Sequence, residues 1–277
     1  MKLCSIKDFK LGNKISGFYL CKKKYFKNTR LGDSYIDLIL QDSSGIVRGK
    51  VWNHAKHFSA SFKQNDVVAV KGIIIDFNNN YEINIESINS IDNNFYSEYG
   101  YSNLLIIGER PKGFNKMKKF IKSKIKSLPA KYSELLIRIY TLHESRIDTV
   151  PIDKNNFFIN GGLLKYTYTL LKVYDSIKPY YKNMDDDRII AGMIVMNIGY
   201  INYYNDDLFT VSKLGQEFNV DILGVNLLLE ILIDFKKDIN PEDKEFLKQC
   251  ILLKSIKIKE ISFINYLVSI GEINSIE

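Results

Sequence analysis

The chain has 277 residues, 45% of them hydrophobic and 26% charged, with a formal net charge of +7 and a pI near 9.0. That is enough to bury a full core and suggests two domains, while no apolar run approaches the roughly 20 residues a membrane span requires. The MKLC start lacks the apolar stretch of a secretory signal, so a cytoplasmic protein is expected; Cys4, Cys21 and Cys250 are too scattered for a disulfide framework or a thiolate metal site; and the basic balance favours an anionic partner.

From residue 13 the apolar period is two. NKISGFYLCKKKYF reads as a first strand, and Ser34 to Gln41 as a second, with Ile36, Leu38 and Leu40 facing one way. DSSG, Asp42 to Gly45, turns the chain into IVRGKVW. A short helix is expected around His54 to Phe62, followed by DVVAVKGIIIDF, and Asn78 to Asn80 turn into YEINIESI. Strands in this order predict a closed all-β barrel of the OB type over residues 1–95. The segments G-x-Y-L at 17–20, Y-x-D-L-x-L-x-D at 35–42 and G-x-V-x-x-K-x-W at 45–52 resemble the OB domains that bind tRNA anticodons and other single strands.

Such barrels hold single strands in a basic groove with aromatic stacking platforms, because every nucleotide has a phosphate and every base a π-face. KKKYFKNTR at 22–30 sets Lys22, Lys23, Lys24, Lys27 and Arg30 around Tyr25 and Phe26 without an acid, and is expected as the loop between strands one and two, bordering the binding face. Arg48, Lys50 and Trp52 share one parity on the third strand, and Tyr35 of the second strand joins the expected nucleic-acid site. The alternative is that Trp52 caps the barrel core and the lysines only solvate a loop. His54 and His57 lack a third ligand nearby, so no metal is expected there.

Residues 96–115, punctuated by Gly100, Gly108, Pro111 and Gly113, read as a linker. Beyond it Met117, Phe120, Ile121, Ile125 and Leu128 recur at helical spacing, with Lys116, Lys118, Lys119, Lys122, Lys124 and Lys126 on the remaining faces. Those lysines suit a solvated face, a phosphate partner, or acids of the same chain such as Asp185 to Asp187.

The rest is helical in period: LLKYTYTLLKVYDSI, DDRIIAGMIVMNI, LGVNLLLEILIDF, PEDKEFLKQCILLKSI and EISFINYLVSI, with Pro241 after Asn240 marking a helix start. Residues 116–277 therefore predict an all-α domain, and the fold class is α+β in two domains. GGLLKYT at 161–167, AGMIVMNIGYI at 191–201 and TVSKLG at 210–215 resemble the HD domain of YhaM-type 3′ to 5′ exoribonucleases, in which an OB domain precedes a helical HD phosphohydrolase domain. The resemblance implies histidines and a bridging aspartate holding divalent metals that activate water.

At each of those positions this chain departs. Tyr166 stands for the histidine of GGLLEHT and Lys165 for its neighbouring acid; Met196 and Asn197 stand for the His-Asp pair and Tyr200 for the lysine after it; Asn156 and Phe157 stand for an upstream histidine pair; and Gln249, Lys254 and Ser255 fall where further histidines are carried. Asn197 reads as the isosteric, uncharged remnant of the bridging aspartate. A thioether at Met196 suits Mg²⁺ or Mn²⁺ poorly, and His143 is the only histidine of the helical half. Asp185 to Asp187, Asp206 and Asp207 read as helix caps and turn residues.

The expectation is a single-stranded nucleic-acid binder, RNA preferred by analogy, with no metal, no cofactor and no metal-dependent nuclease activity. Its helical domain, a degenerate HD domain, would act as scaffold, protein-partner site or homo-oligomer interface. Two alternatives are an active 3′ to 5′ exoribonuclease with a divergent metal site, and a structural or adaptor protein whose OB face takes a protein partner.

Overall fold

Period-two patterning forms five strands: β1 (Lys14–Asn28), β2 (Ser34–Asp42), β3 (Gly45–Val51), β4 (Val67–Phe77) and β5 (Asn80–Ser90), with α1 (Ala55–Ser61) between β3 and β4. The computed structural model describes residues 3–91, 93–153, 157–181, 183–235, 239–252 and 258–273. The strands close into a barrel in the order β1-β2-β3-β5-β4, antiparallel throughout except for a parallel contact between β3 and β5. Ile15, Tyr19, Ile36, Leu38, Val47 and Ile83 are among the inward residues of its core, which Ala55 and Phe62 of the α1 region extend.

Turn chemistry fixes the register. Asp42 Oδ1 accepts the N–H groups of Ser44 (2.7 Å) and Gly45 (3.1 Å), closing DSSG into the β2–β3 hairpin. Asn78 and Asn79 take φ of 54° and 61°, the left-handed pair that a two-residue hairpin with the natural strand twist requires. β1 serves two neighbours: Lys14 to Leu20 pair with β4, and Leu20 to Asn28 pair with β2, with a bulge at Lys22 where the register slips between Cys21 and Lys23.

Two compact units divide the chain, 1–108 and 109–277. The expected linker is therefore displaced in part. Phe18 points out of the barrel and needs a cover; Tyr101 supplies it edge-on at 5.3 Å, Leu105 O accepts the N–H of Ser43 at 2.9 Å, and Ile106 and Ile107 are buried. Burial of apolar residues on the outside of β1 draws 96–108 onto the first unit.

The second unit contains α2 (Phe114–Ser127), α3 (Ala130–Leu142), α4 (Gly162–Ile177), α5 (Asp186–Val195), α6 (Val220–Ile233), α7 (Pro241–Leu252) and α8 (Lys259–Ile273). Side-chain caps begin three of them: Asp185 accepts from Arg188 N, Asn219 from Ile222 N and Asn240 from Asp243 N. Two glycines, in the GGLL and NIGY segments, answer to space. A Cβ at Gly162 would stand 1.9 Å from the Phe157 carbonyl oxygen, and one at Gly199 1.9 Å from that of Val220, so both mark contact between backbones.

A buried ionic knot ties α3, α5 and α7. Asp243 is fully buried; Tyr132 donates to its Oδ1 at 2.6 Å, Arg188 Nε donates to the same oxygen at 3.1 Å, and Lys131 donates to Oδ2. Burial alone would raise this carboxyl, but the hydrogen bonds from Lys131, Tyr132 and Arg188 hold it below its ordinary range. The lysines of α2 also find acids of their own chain, though not Asp185 to Asp187: Lys118 reaches Glu144 and Asp148, Lys122 reaches Glu144 and Lys124 reaches Asp175.

Removing Asp243 leaves Arg188 and Lys131 without their shared counter-charge. Asp243→Ala is expected to destabilise the helical unit by about 3–5 kcal/mol in thermal or denaturant unfolding. Because its carboxyl titrates low when folded, this contribution is complete at neutral pH and fades as the pH falls below the ordinary carboxylate range, so wild type and variant should converge in acid.

Candidate nucleic-acid interface

Past the bulge, β1 lays its odd-numbered residues on the outer face of the barrel. Lys23 stands opposite Ile39, which stands opposite Arg48; Tyr25 is opposite Asp37, which is opposite Lys50; and Lys27 is opposite Tyr35. Trp52 continues the parity of Arg48 and Lys50, and stacks on Tyr35 with ring centroids 4.7 Å apart and planes 25° apart. It is 43% exposed, so it forms an open platform and does not cap the core. Lys50 Nζ lies 5.9 Å from the centroid of Trp52 and 4.1 Å from that of Phe77.

Two acids temper this face. Lys27 Nζ is 2.5 Å from Asp37 Oδ2, and Lys50 Nζ is 2.8 Å from Glu82 Oε2. Lys23, Arg30 and Arg48 are exposed and form no ion pair among the described residues, which leaves them as the cations open to phosphate. Tyr25, Phe77 and Tyr81 are roughly half exposed around them. An anionic strand laid across β1, β2 and β3 would meet guanidinium and ammonium groups spaced between aromatic surfaces.

The expected residues do not all meet here. Residues 22–28 belong to β1, not to a loop; the turn is confined to the stretch around Thr29 to Asp33, where Arg30 sits, and the alternation KKKYFKN simply continues the ladder with Ile36, Leu38 and their neighbours. Lys22 occupies the bulge. Lys24 and Phe26 take the opposite parity, pairing with the inward Leu38 and Ile36. Lys24 is a helix cap: its ammonium donates to the carbonyls of Ser59 (2.7 Å) and Phe62 (2.6 Å) at the end of α1, where the helix dipole is negative, and sits 4.1 Å from the Phe62 ring. Burial pushes its pKa below that of an ordinary lysine.

Sequence patterning does not single out Phe77, Tyr81 and Glu82, which the structure adds to this face. The available signal is an aromatic residue on each side of the NNN turn, but nothing in the sequence order places that hairpin beside β3.

In the helical unit, Phe157 and Tyr166 are core residues whose rings meet edge-to-face, 4.9 Å apart and at 89°. Met196 is buried with them as a core residue of the unit, and the Lys165 ammonium lies 5.2 Å from the Phe157 ring. Asn197 is 8% exposed, in the turn after α5, and its Nδ2 finds no hydrogen-bond partner among the described residues. Asn156, Lys254 and Ser255 lie outside the described residues. Among the described residues no three His, Cys, Asp or Glu side chains gather as a metal site.

The two kinds of residue on β1 and β3 should separate on substitution. Lys24→Ala removes a cap and is expected to destabilise the barrel by about 1–2 kcal/mol, a fall of several degrees in Tm. Trp52→Ala is expected to leave Tm within about 2 °C of the parent, because its ring is already open to solvent. Thermal melts of both variants check this.

Comparison with known proteins agrees with the barrel. The tRNA anti-codon family model, an OB-fold nucleic acid binding domain, matches residues 22–91. The 3′-5′ exoribonuclease YhaM of Oceanobacillus iheyensis is 23% identical over 196 residues, covering 69% of this chain and 60% of the relative; that of Shouchella clausii is 20% identical over 214 residues, covering 76% and 65%. The chain thus spans less than two thirds of either relative. A replication protein A domain from Methanococcus maripaludis is 22% identical, covering 33% of this chain and 97% of that one with a TM-score of 0.30. This chain therefore carries an N-terminal OB-fold nucleic acid binding domain followed by a helical region, and over about 70% of its length it is distantly similar to the YhaM 3′-5′ exoribonucleases.

Proposed function

We propose that the chain binds single-stranded nucleic acid, RNA in preference, across the outer face of β1, β2 and β3, and does not cleave it. One observation carries the reading: the Tyr35–Trp52 stack lies open to solvent on the face that also presents Lys23 and Arg48. Stacked rings give bases a platform independent of sequence, and open cations give phosphates their counter-charge. The preference for RNA follows the exoribonuclease activity for which the YhaM relatives are named.

The helical unit is read as an HD-like domain, its ligand positions repacked. Two aromatic rings, a thioether and a single amide, at Phe157, Tyr166, Met196 and Asn197, do not fit a hard divalent cation, which takes oxygen or imidazole donors. The unit then serves as a scaffold, with a protein partner or a second copy as its candidate contacts. The domains are read as OB over 1–108 and HD-like over 109–277.

Labelled single-stranded RNA and DNA, incubated with Mn²⁺ or with chelator, test both halves of this reading. Equal binding in the two conditions with intact strands is the expected result; Mn²⁺-dependent shortening from the 3′ end would show a working nuclease instead. Reversing both Lys23 and Arg48 to Glu should weaken binding and flatten the slope of log K against log salt by roughly 0.7 for each phosphate no longer neutralised. Trp52→Ala should weaken binding by about 1–3 kcal/mol and leave the slope unchanged.

A further inference from the structure

The barrel wall opens where β3 and β5 part. Their parallel pairing runs only from Arg48 to Lys50 against Glu82 to Asn84, and beside it lies a pocket of about 300 Å³. Ile39 and Ile46 give it apolar surface, and the half-exposed rings of Phe77 and Tyr81 line its hairpin side. Glu82, 2% exposed, and Arg48, its direct partner across the ladder, supply its charged groups.

Rings and apolar walls suit a flat base, and the charged groups decide which base. A carboxylate only accepts hydrogen bonds and a guanidinium only donates them. Guanine alone presents two adjacent donors, N1–H and the 2-amino group, next to an acceptor, O6. Adenine sets a bare ring nitrogen beside its single amino group, cytosine does the same, and uracil flanks its one N–H with two carbonyls; each turns an acceptor toward the carboxylate. The Lys50 ammonium at 2.8 Å occupies only part of the accepting capacity of Glu82, since a carboxylate has about four lone-pair positions.

Resting on the reading that this face binds a single strand, we propose that the pocket takes one guanine of that strand, with Glu82 accepting from N1–H and the 2-amino group and Arg48 donating to O6. Glu82 and Arg48 are then the residues that set base preference, while the Tyr35–Trp52 stack holds neighbouring bases without choosing among them.

The test is a fluorescence titration of the full chain with pyrimidine strands of about ten nucleotides, each carrying a single central guanine, adenine, cytosine or hypoxanthine, as RNA and as DNA. The guanine strand should bind at least about fivefold tighter than the adenine or cytosine strand in both sugars, and hypoxanthine, which lacks the 2-amino group, should lose most of that gain. Glu82→Gln should abolish the guanine preference, bringing the guanine, adenine and cytosine strands within about twofold of one another, with a thermal melt confirming that the variant is folded. The hypoxanthine arm probes the same contact on unaltered protein, so the inference stays testable if the variant fails to fold. Guanine, adenine and cytosine strands binding within about twofold of one another, with affinity still falling in salt, would overturn the guanine pocket and leave the binding face standing. Failure of every strand to bind would overturn the face and the pocket together.

Discussion

Closure of the barrel hangs on a ladder three residues long on each strand, Arg48 to Lys50 against Glu82 to Asn84, the only parallel pairing among the described strands. Every other seam is made by antiparallel strands over longer runs, and two of those are set locally by the Asp42 and Asn78–Asn79 turns. The parallel seam has no turn to define it. It depends on the inward residues Gly49 and Ile83 meeting in the core, where a Cβ on Gly49 would lie 2.7 Å from Ile85 Cδ1. Because the seam is short, Arg48 and Glu82 are brought side by side at its edge and the wall opens immediately beyond them.

The outer face is less positive than its lysine count suggests. Asp37 and Glu82 are acids on that face, and each is matched by a lysine within hydrogen-bonding distance. Such pairs hold the aromatic rings between them in place: Lys27 lies 5.2 Å from the Tyr25 ring and Lys50 lies 4.1 Å from that of Phe77. The face thus combines fixed, internally neutralised positions with a few open cations. The lysine-rich α2 follows the same rule, with Glu144, Asp148 and Asp175 of its own unit taking part of its charge.

Much of the fold is legible from residues alone because its signals are local. Period-two alternation, DSSG, the Asn run before Tyr81, the helical apolar stripes and the caps at Asp185 and Asn240 each act within a few residues. What is not legible depends on partners distant in the chain. Lys24 caps a helix whose carbonyls lie 35 and 38 residues away. Phe77 and Glu82 join the candidate site only because β5 inserts beside β3, an order that the sequence of strands does not contain. In the helical unit the glycines of the GGLL and NIGY segments are explained by backbone contact, while Phe157 and Tyr166 belong to the packing of the core. Spatial demands of the fold account for the glycines; chemistry at the intervening positions is free to change without disturbing them.

The bulge at Lys22 works as a phase shifter. Before it, Tyr19 and Cys21 put odd-numbered residues inside the barrel; after it, Tyr25 and Lys27 put odd-numbered residues outside. Absorbing Lys22 in the bulge, and not pairing it in regular register, therefore decides which half of KKKYFKN is displayed. If a related chain kept this residue but paired it regularly, Lys22 would face Ile39 and Lys23 would face Leu38, which would turn Tyr25 and Lys27 to the other side of the strand and bring Lys24 and Phe26 to the outer face, exchanging one set of cations and rings for another. In this corner of the fold, the pairing register is as direct a means of altering the displayed surface as replacement of side chains.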